Sequence, residues 1–155
     1  MYDQNLNIVL IEPEIPMNTG NTGRTCVATK SMLHLVGPLG FEISDKRLKR
    51  AGLDYWPKLK WQYYDHWDLW WERIPDPERV FFMTTKAQKS LYQNQFQKGD
   101  WLVFGRETKG LDESILKKYS QQALTIPMPG EVRSLNLSNS VAICLFEASR
   151  QIHNF

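Results

Sequence analysis

The stretch "NIVLIEPEIPMNTGNTGRTCVATKSMLHLVGP", residues 7–38, holds two short apolar runs separated by a polar segment rich in glycine and asparagine. Asn7–Pro13 ends at a proline and is typical of a buried strand, and Leu33–Pro38 repeats that pattern. Between them, the sequence predicts a polar turn that leads into a helix carrying Cys26. A strand, a helix and a second strand of these lengths predict a βαβ unit with parallel strands.

The same alternation continues along the chain. Further predicted strands cover residues 79–85, 101–107 and 123–128, and further predicted helices cover Asp45–Gly52, residues 112–120 and the segment that ends at Ala148. This order predicts an α/β fold with a mostly parallel sheet and helices on both faces. The 155 residues, without repeats or a linker, are expected to form one domain, residues 1–155.

Composition excludes several functional classes. The net charge is only +2, so any attraction to nucleic acid has to be local. Cys26 and Cys144 lie in apolar runs without CxxC spacing, and the three histidines are far apart, which argues against a disulfide or a metal site. The sequence has neither an apolar run of membrane-spanning length nor a basic leader, so we expect a cytoplasmic protein with no membrane association.

An aromatic-rich segment, residues 61–74, follows the predicted helix Asp45–Gly52. Its apolar residues fall at i, i+3, i+4 and i+7 of a helix: Trp67, Trp70, Trp71 and Ile74. Such a stripe is typical of packing in the core or against a partner, and stacking on nucleobases is the alternative.

The predicted ligand site lies where the strands end, because open parallel sheets bind ligands beyond the carboxyl ends of their strands. Polar, largely uncharged segments follow four of the predicted strands. The phosphate-binding patterns GxxxxGK[ST] and GxGxxG are absent, which favours a ligand held without a phosphate loop. An adenosine-type cofactor such as S-adenosylmethionine fits, although composition alone does not establish it. The last helix also begins with more Ser and Asn residues (134–140) than a single cap requires.

Three motifs carry a resemblance to a known family: "EPEIPMNTGNTGRTC", "LVFGRETKGL" and "IPMPGEVRSLNLSNSVAICLFEA". In this order they resemble the signature motifs of the SPOUT superfamily of RNA methyltransferases. From about Asn7 onward the chain is most similar to the minimal bacterial branch, the tRNA wobble-position ribose 2′-O-methyltransferases, with "LGFEISDKRLKRAGLDYW" also matching. Thr22 and Gly23 stand where that branch usually has bulkier apolar residues, and we expect Gly23 to loosen the start of the helix.

The resemblance implies a Rossmann-like fold with a deep C-terminal trefoil knot, a homodimer and a tRNA substrate. It implies that S-adenosylmethionine is the methyl donor, with S-adenosylhomocysteine as product and no metal. The implied cofactor contacts are Met83, Thr84, Gly105, Ile126, Met128 and Ser134.

Five residues are candidates for the reaction at the ribose: Arg24, Asn18, Glu107, Ser134 and Asn136. In related enzymes the arginine of the first motif acts on the ribose hydroxyl. A guanidinium is normally protonated, so Arg24 either orients the hydroxyl or its phosphate, or acts as a base, and both roles stay open. Glu107 is a candidate carboxylate partner for an arginine, within the chain or across a dimer.

A basic helix is the candidate for RNA phosphate contact, with a solvated surface as the alternative: Lys46, Arg47, Lys49 and Arg50. The resemblance favours 2′-O-methylation of the wobble cytidine or uridine in the tRNA anticodon loop. Two alternatives are a ribosomal RNA ribose 2′-O-methyltransferase and a non-catalytic RNA-binding protein with the same fold.

Overall fold

The computed structural model describes residues 6–44, 46–52 and 54–155. Its elements, in chain order, are β1 (Asn7–Ile11), α1 (Pro16–Ala28), β2 (Met32–Val36), α2 (Lys46–Gly52), β3 (Trp61–Tyr64), α3 (Trp67–Trp71), β4 (Val80–Met83), β5 (Trp101–Phe104), α4 (Glu113–Lys118), β6 (Ala123–Leu124) and α5 (Leu137–His153). The strands form one sheet in the order β3-β2-β1-β5-β4-β6, and each neighbouring pair is parallel. The mostly parallel α/β fold is confirmed. The knot stays a prediction of the resemblance.

Hydrophobic clusters cover the sheet on both faces, because successive strand residues point to opposite sides. Ile8 and Leu10 of β1 belong to the cluster that includes Cys26 of α1 and Cys144 of α5. Val9, between them, belongs to the other cluster, against α3 and α4. Burial raises the pKa of both cysteine thiols, as expected for thiols that serve as small apolar side chains.

Helix α1 begins earlier than the sequence predicts, at Pro16, a residue suited to the first helical turn. The segment interpreted as a glycine turn therefore lies inside the helix. Gly20 faces α2 so closely that a Cβ there would come within 3.0 Å of the Cβ of Ala51. The glycine is required by helix–helix contact, and not by a turn. Asp45, the predicted acidic start of α2, lies outside the described residues.

Strand β3 is absent from the predicted elements, because its aromatic residues suit a strand and a helix equally. It pairs with β2 at the edge of the sheet. Helix α3 is short, but the predicted apolar stripe does pack into the second hydrophobic cluster, where Trp70 is fully buried. The structure thus favours core packing over nucleobase stacking for this stripe. No helix among the described residues has the length and apolarity needed to cross a bilayer.

Two buried polar groups are fully engaged in the sheet layer. His34 Nε2 lies 3.0 Å from Asn7 Oδ1, and its Nδ1 lies 3.0 Å from the hydroxyl of Tyr64. A neutral ring that donates to Asn7 and accepts from Tyr64 satisfies both contacts. Asp100 accepts from both Nε and Nη2 of Arg79, at 2.8 and 2.6 Å, and this ion pair joins the starts of β4 and β5.

Candidate functional site

A cleft of about 580 Å³ opens beyond the carboxyl ends of β4, β5 and β6, beside the start of α1. This volume is within the range of small-molecule sites. The wall comes from chain segments distant in sequence, and it includes all six predicted cofactor contacts: Met83, Thr84, Gly105, Ile126, Met128 and Ser134. Of the candidates for the ribose reaction, Asn18, Glu107, Ser134 and Asn136 also line it. The parallel sheet therefore brings these residues to one place.

A narrow turn after β5 forms one wall of the cleft. The backbones of Arg106 and Gly110 exchange hydrogen bonds of 2.8 and 3.2 Å, and Gly110 has a φ of +67°, which favours glycine. A Cβ on Gly105 would overlap the backbone of Gly110 and Leu111. Gly105 is thus required for the turn to fold back over the strand end, where it leaves a backbone surface facing the cleft.

The amide of Asn136 links the start of α5 to α1. Its Oδ1 caps α5, accepting from the backbone nitrogens of Ser138 at 2.9 Å and Asn139 at 3.3 Å. Its Nδ2 donates to Oδ1 of Asn18 at 3.1 Å. Asn18 is buried, with 6% of its surface exposed. The surplus of polar residues at this helix start therefore includes a tertiary link between two cleft-lining segments.

Glu107 is held by one oxygen only. Its Oε2 accepts from the backbone nitrogen of Glu14 at 2.7 Å, whereas its buried Oε1 has no hydrogen-bond partner among the described residues. A buried carboxylate oxygen without a donor is costly, so a donor is expected when the site is complete.

The side chain of Glu14 accepts two further hydrogen bonds from the same turn. Its Oε1 accepts from the nitrogen of Thr108 at 3.1 Å and from the hydroxyl of Thr108 at 2.7 Å. These hydrogen bonds from Thr108 hold the pKa of Glu14 below its usual value. Sequence reasoning did not single out Glu14, although it lies in the first quoted motif. Its partner lies 94 residues away, so only the motif context pointed to it.

Arg24 does not line the cleft of its own chain. It lies on the exposed face of α1, with its guanidinium carbon 5.0 Å from the ring centre of Tyr55. The four cations of α2 do not line the cleft either: Lys46, Arg47, Lys49 and Arg50 are all exposed on the helix that packs against α1. The structure thus separates the predicted cofactor residues from the predicted catalytic arginine and from the basic helix.

Fold and cleft together define a ligand-binding α/β protein whose site lies at the carboxyl edge of a parallel sheet. Comparison with known proteins narrows this class. Residues 5–146 match the model of the SpoU rRNA Methylase family. The chain is 46% identical over 147 residues to the tRNA (cytidine(34)-2′-O)-methyltransferase of Burkholderia cenocepacia (strain HI2424), with 94% of each chain covered.

Solved structures give the same result. One, described as giving structural insights into the 2-OH methylation of C/U34 on tRNA, superposes with a TM-score of 0.93 at 45% identity and covers 97% of both chains. The SpoU methyltransferase AviRb from Streptomyces viridochromogenes, in complex with the cofactor AdoMet, shares the fold with a TM-score of 0.84 at 20% identity. That match covers 97% of this chain and 59% of the other. The chain belongs to the SpoU rRNA methylase family, which confirms the resemblance and makes the protein an RNA-methylating enzyme.

Proposed function

We propose that this enzyme transfers a methyl group from S-adenosylmethionine to the ribose 2′-hydroxyl of the wobble nucleotide, cytidine or uridine, in the tRNA anticodon loop. The observation that carries the proposal is the cleft, where residues predicted to bind the donor meet Asn18 and Asn136, predicted to act at the ribose. The names of relatives at about 46% identity support the choice of substrate. The whole chain, residues 1–155, would act as one cytoplasmic methyltransferase domain.

The cleft fits the donor in size and chemistry. Met83, Ile126 and Met128 supply an apolar wall, and the turn that follows Gly105 supplies backbone groups. S-adenosylmethionine, when bound, supplies an electrophilic methyl group on a sulfonium. The chain has to hold the 2′-hydroxyl in line with that methyl group, and such positioning is a large part of the rate enhancement.

The methyl-accepting ribose would be held by three polar residues of the cleft wall: Asn18, Ser134 and Asn136. The amide nitrogen of Asn136 fixes Asn18, and the capping bonds of Asn136 fix both to the start of α5. Because α5 is a long and well-packed helix, this arrangement presents amide and hydroxyl groups in a fixed geometry to a ribose or a base edge.

Arg24 reaches a reaction site only if a second copy of the chain contributes it. The exposed face of α1 carries Met17, 55% exposed, about two turns before Arg24, and α5 exposes Phe146, 50% exposed. Since α1 and α5 pack side by side, these apolar side chains are suited to a homodimer seam. In such a dimer, Arg24 of one subunit would enter the cleft of the other, where Oε1 of Glu107 has no donor among the described residues. There the protonated guanidinium would orient the acceptor ribose or its phosphate.

The basic surface next to Arg24 is suited to the tRNA backbone. Residues 46–60 hold six Lys or Arg against one Asp, a net charge of +5 in a chain whose total is +2. The positive charge is therefore concentrated on α2 and the segment that follows it. Such clusters supply the salt-dependent part of RNA affinity, and an unpaired loop then presents the target nucleotide.

The test is transfer of a labelled methyl group from S-adenosylmethionine to unmodified tRNA, followed by mapping of the modified nucleotide. We expect label only at the wobble ribose. Label in ribosomal RNA and not in tRNA would favour the second substrate class. No binding of S-adenosylmethionine by calorimetry would favour a non-catalytic RNA-binding protein.

A variant pair tests the role of Arg24. Arg24→Ala should lose methyl transfer and keep its cofactor affinity, because the proposed role of Arg24 is at the acceptor ribose or its phosphate and not at the cofactor. Arg73→Ala, which removes another exposed arginine, is the matched control and should stay active. Near-normal turnover of Arg24→Ala would remove Arg24 from the mechanism.

A further inference from the structure

The segment between β1 and α1 and the turn after β5 are joined by reciprocal hydrogen bonds, each accepted by a carboxylate of the other segment. Glu107 accepts the backbone N–H of Glu14, while the side chain of Glu14 accepts both the N–H and the hydroxyl of Thr108. Each segment therefore holds the other through a charged acceptor, and charge-assisted bonds of this kind are short and directional. Two of the three distances are short, at 2.7 Å each, and the third, from the nitrogen of Thr108, is an ordinary 3.1 Å.

The backbone of Glu14 is fixed from its other side. The nitrogen of Gly40 donates to the carbonyl of Pro13 at 2.9 Å, and a Cβ on Gly40 would lie 2.9 Å from the Cα of Glu14. Because the main chain is fixed in this way, the carboxylate of Glu14 projects from a rigid base. Removing that side chain should leave the backbone bond to Glu107 in place.

The turn after β5 has fewer constraints. Thr108 is exposed at the tip of the turn that Arg106 and Gly110 close. Arg106 is anchored on both sides, by Glu12 at 3.3 Å and by Asp112 at 3.0 Å. Beyond that anchor, the two bonds from Thr108 to Glu14 fix the peptide that follows Glu107.

We propose that Glu14 is a positioning residue of the methyl-transfer site: by holding Thr108, it fixes Glu107 with one carboxylate oxygen buried beside the cleft and available to a donor. This inference rests on the proposed function, since that donor is the incoming guanidinium or the acceptor itself. Glu14 does not line the cleft, so it acts only through Thr108 in the turn. We call the two hydrogen bonds from Thr108 to Glu14 the clamp. It joins the segment that carries Asn18 to the turn that carries Gly105.

The first test compares Glu14→Ala and Glu14→Gln with the wild-type enzyme. We expect Glu14→Ala to lower kcat at least tenfold while the Kd for S-adenosylmethionine changes less than threefold. Glu14→Gln keeps an oxygen acceptor in place and should stay within threefold of wild-type kcat. Normal turnover of Glu14→Ala, or an equal loss in both variants, would overturn the inference.

Thr108 provides the matched pair. Thr108→Val removes the hydroxyl with little change of shape, whereas Thr108→Ser keeps it. The valine variant should lose activity and the serine variant should retain it. Equal activities in the two variants would mean that the clamp does not position Glu107.

Hydrogen exchange measured by mass spectrometry supplies a readout independent of RNA chemistry. Exchange in residues 105–111 should accelerate at least tenfold in Glu14→Ala and in Thr108→Val, and stay unchanged in Thr108→Ser. Unchanged exchange in the first two variants would refute the clamp. A wild-type enzyme that methylates no tRNA would refute the proposed function instead, and the exchange data would still decide the inference.

Discussion

Replacing Gly20 with alanine should separate α1 from α2. A Cβ at this position would come within 3.0 Å of the Cβ of Ala51 and lie 3.3 Å from the carbonyl oxygen of Leu48, whereas ordinary contact begins at 3.4 Å. Since the side chain of Ala51 is a single methyl group fixed to the backbone, helix α2 itself has to move. Tyr55 opposes that movement, because its hydroxyl lies within hydrogen-bond distance of the carbonyls of both Gly20 and Ala51 and its single proton is shared between them.

The magnitude follows from two opposing terms. Overpacking a close contact costs about 1–3 kcal/mol, and a Cβ this near to Ala51 belongs in the upper part of that range, about 2–3 kcal/mol. Glycine to alanine inside a helix returns up to about 1 kcal/mol. We therefore expect Gly20→Ala to lower the free energy of unfolding by about 1–2 kcal/mol. In a chain of this length, that corresponds to a fall in Tm of about 2–8 °C.

Gly23→Ala is the control, since it lies in the same helix and is also buried. Its Cβ would lie 3.0 Å from Cδ2 of Leu59 and 3.4 Å from Trp56, and Cδ2 is the end of a flexible side chain. The helix-propensity gain should then offset the contact, leaving stability within about 0.5 kcal/mol of wild type. Urea unfolding of both variants, followed by circular dichroism, measures the difference. Equal stability of the two variants would refute this account of close helix contact.

Three further predictions concern polar groups, of which His34 and Asp100 are buried and Asn136 is exposed. Asp100→Ala should lower the free energy of unfolding by about 2–3 kcal/mol, because it removes the carboxylate that accepts two hydrogen bonds from Arg79. A loss below about 0.5 kcal/mol in urea titrations would contradict this prediction. Burial lowers the pKa of His34 to about 4, against an ordinary 6.5. The unfolded chain therefore binds an extra proton between these pH values, and stability should fall by about 1.4 kcal/mol per pH unit as the pH drops from 6.5 towards 4. Unfolding of wild type and of His34→Gln across this range checks the slope, which should flatten in the variant. Asn136→Asp keeps the helix cap but loses the donor to Asn18, so stability should change by less than about 1 kcal/mol while methyl transfer falls; full activity would show that the link between the two residues is dispensable.

The sequence by itself determined the α/β order and the family, because apolar periodicity and short motifs are local properties of the chain. It located β1, β2, β4 and β5 correctly. The residues that the resemblance predicts to contact the cofactor lie together at the strand ends. It misplaced the start of α1, since glycine is typical of turns and nothing local shows that another helix packs against Gly20. It also missed β3, where aromatic residues suited a strand and a helix equally.

Only the tertiary structure decided which side chains meet. The bond between Asn18 and Asn136 spans 118 residues, and that between Glu14 and Thr108 spans 94. Such pairs depend on the order of strands in the sheet, which sets distances that no local pattern contains. The same order placed Arg24 on an outer helix face, away from the cleft of its own chain. Local sequence patterns therefore specify the helices and strands. The pairing of strands distant in sequence specifies which residues meet at the cleft.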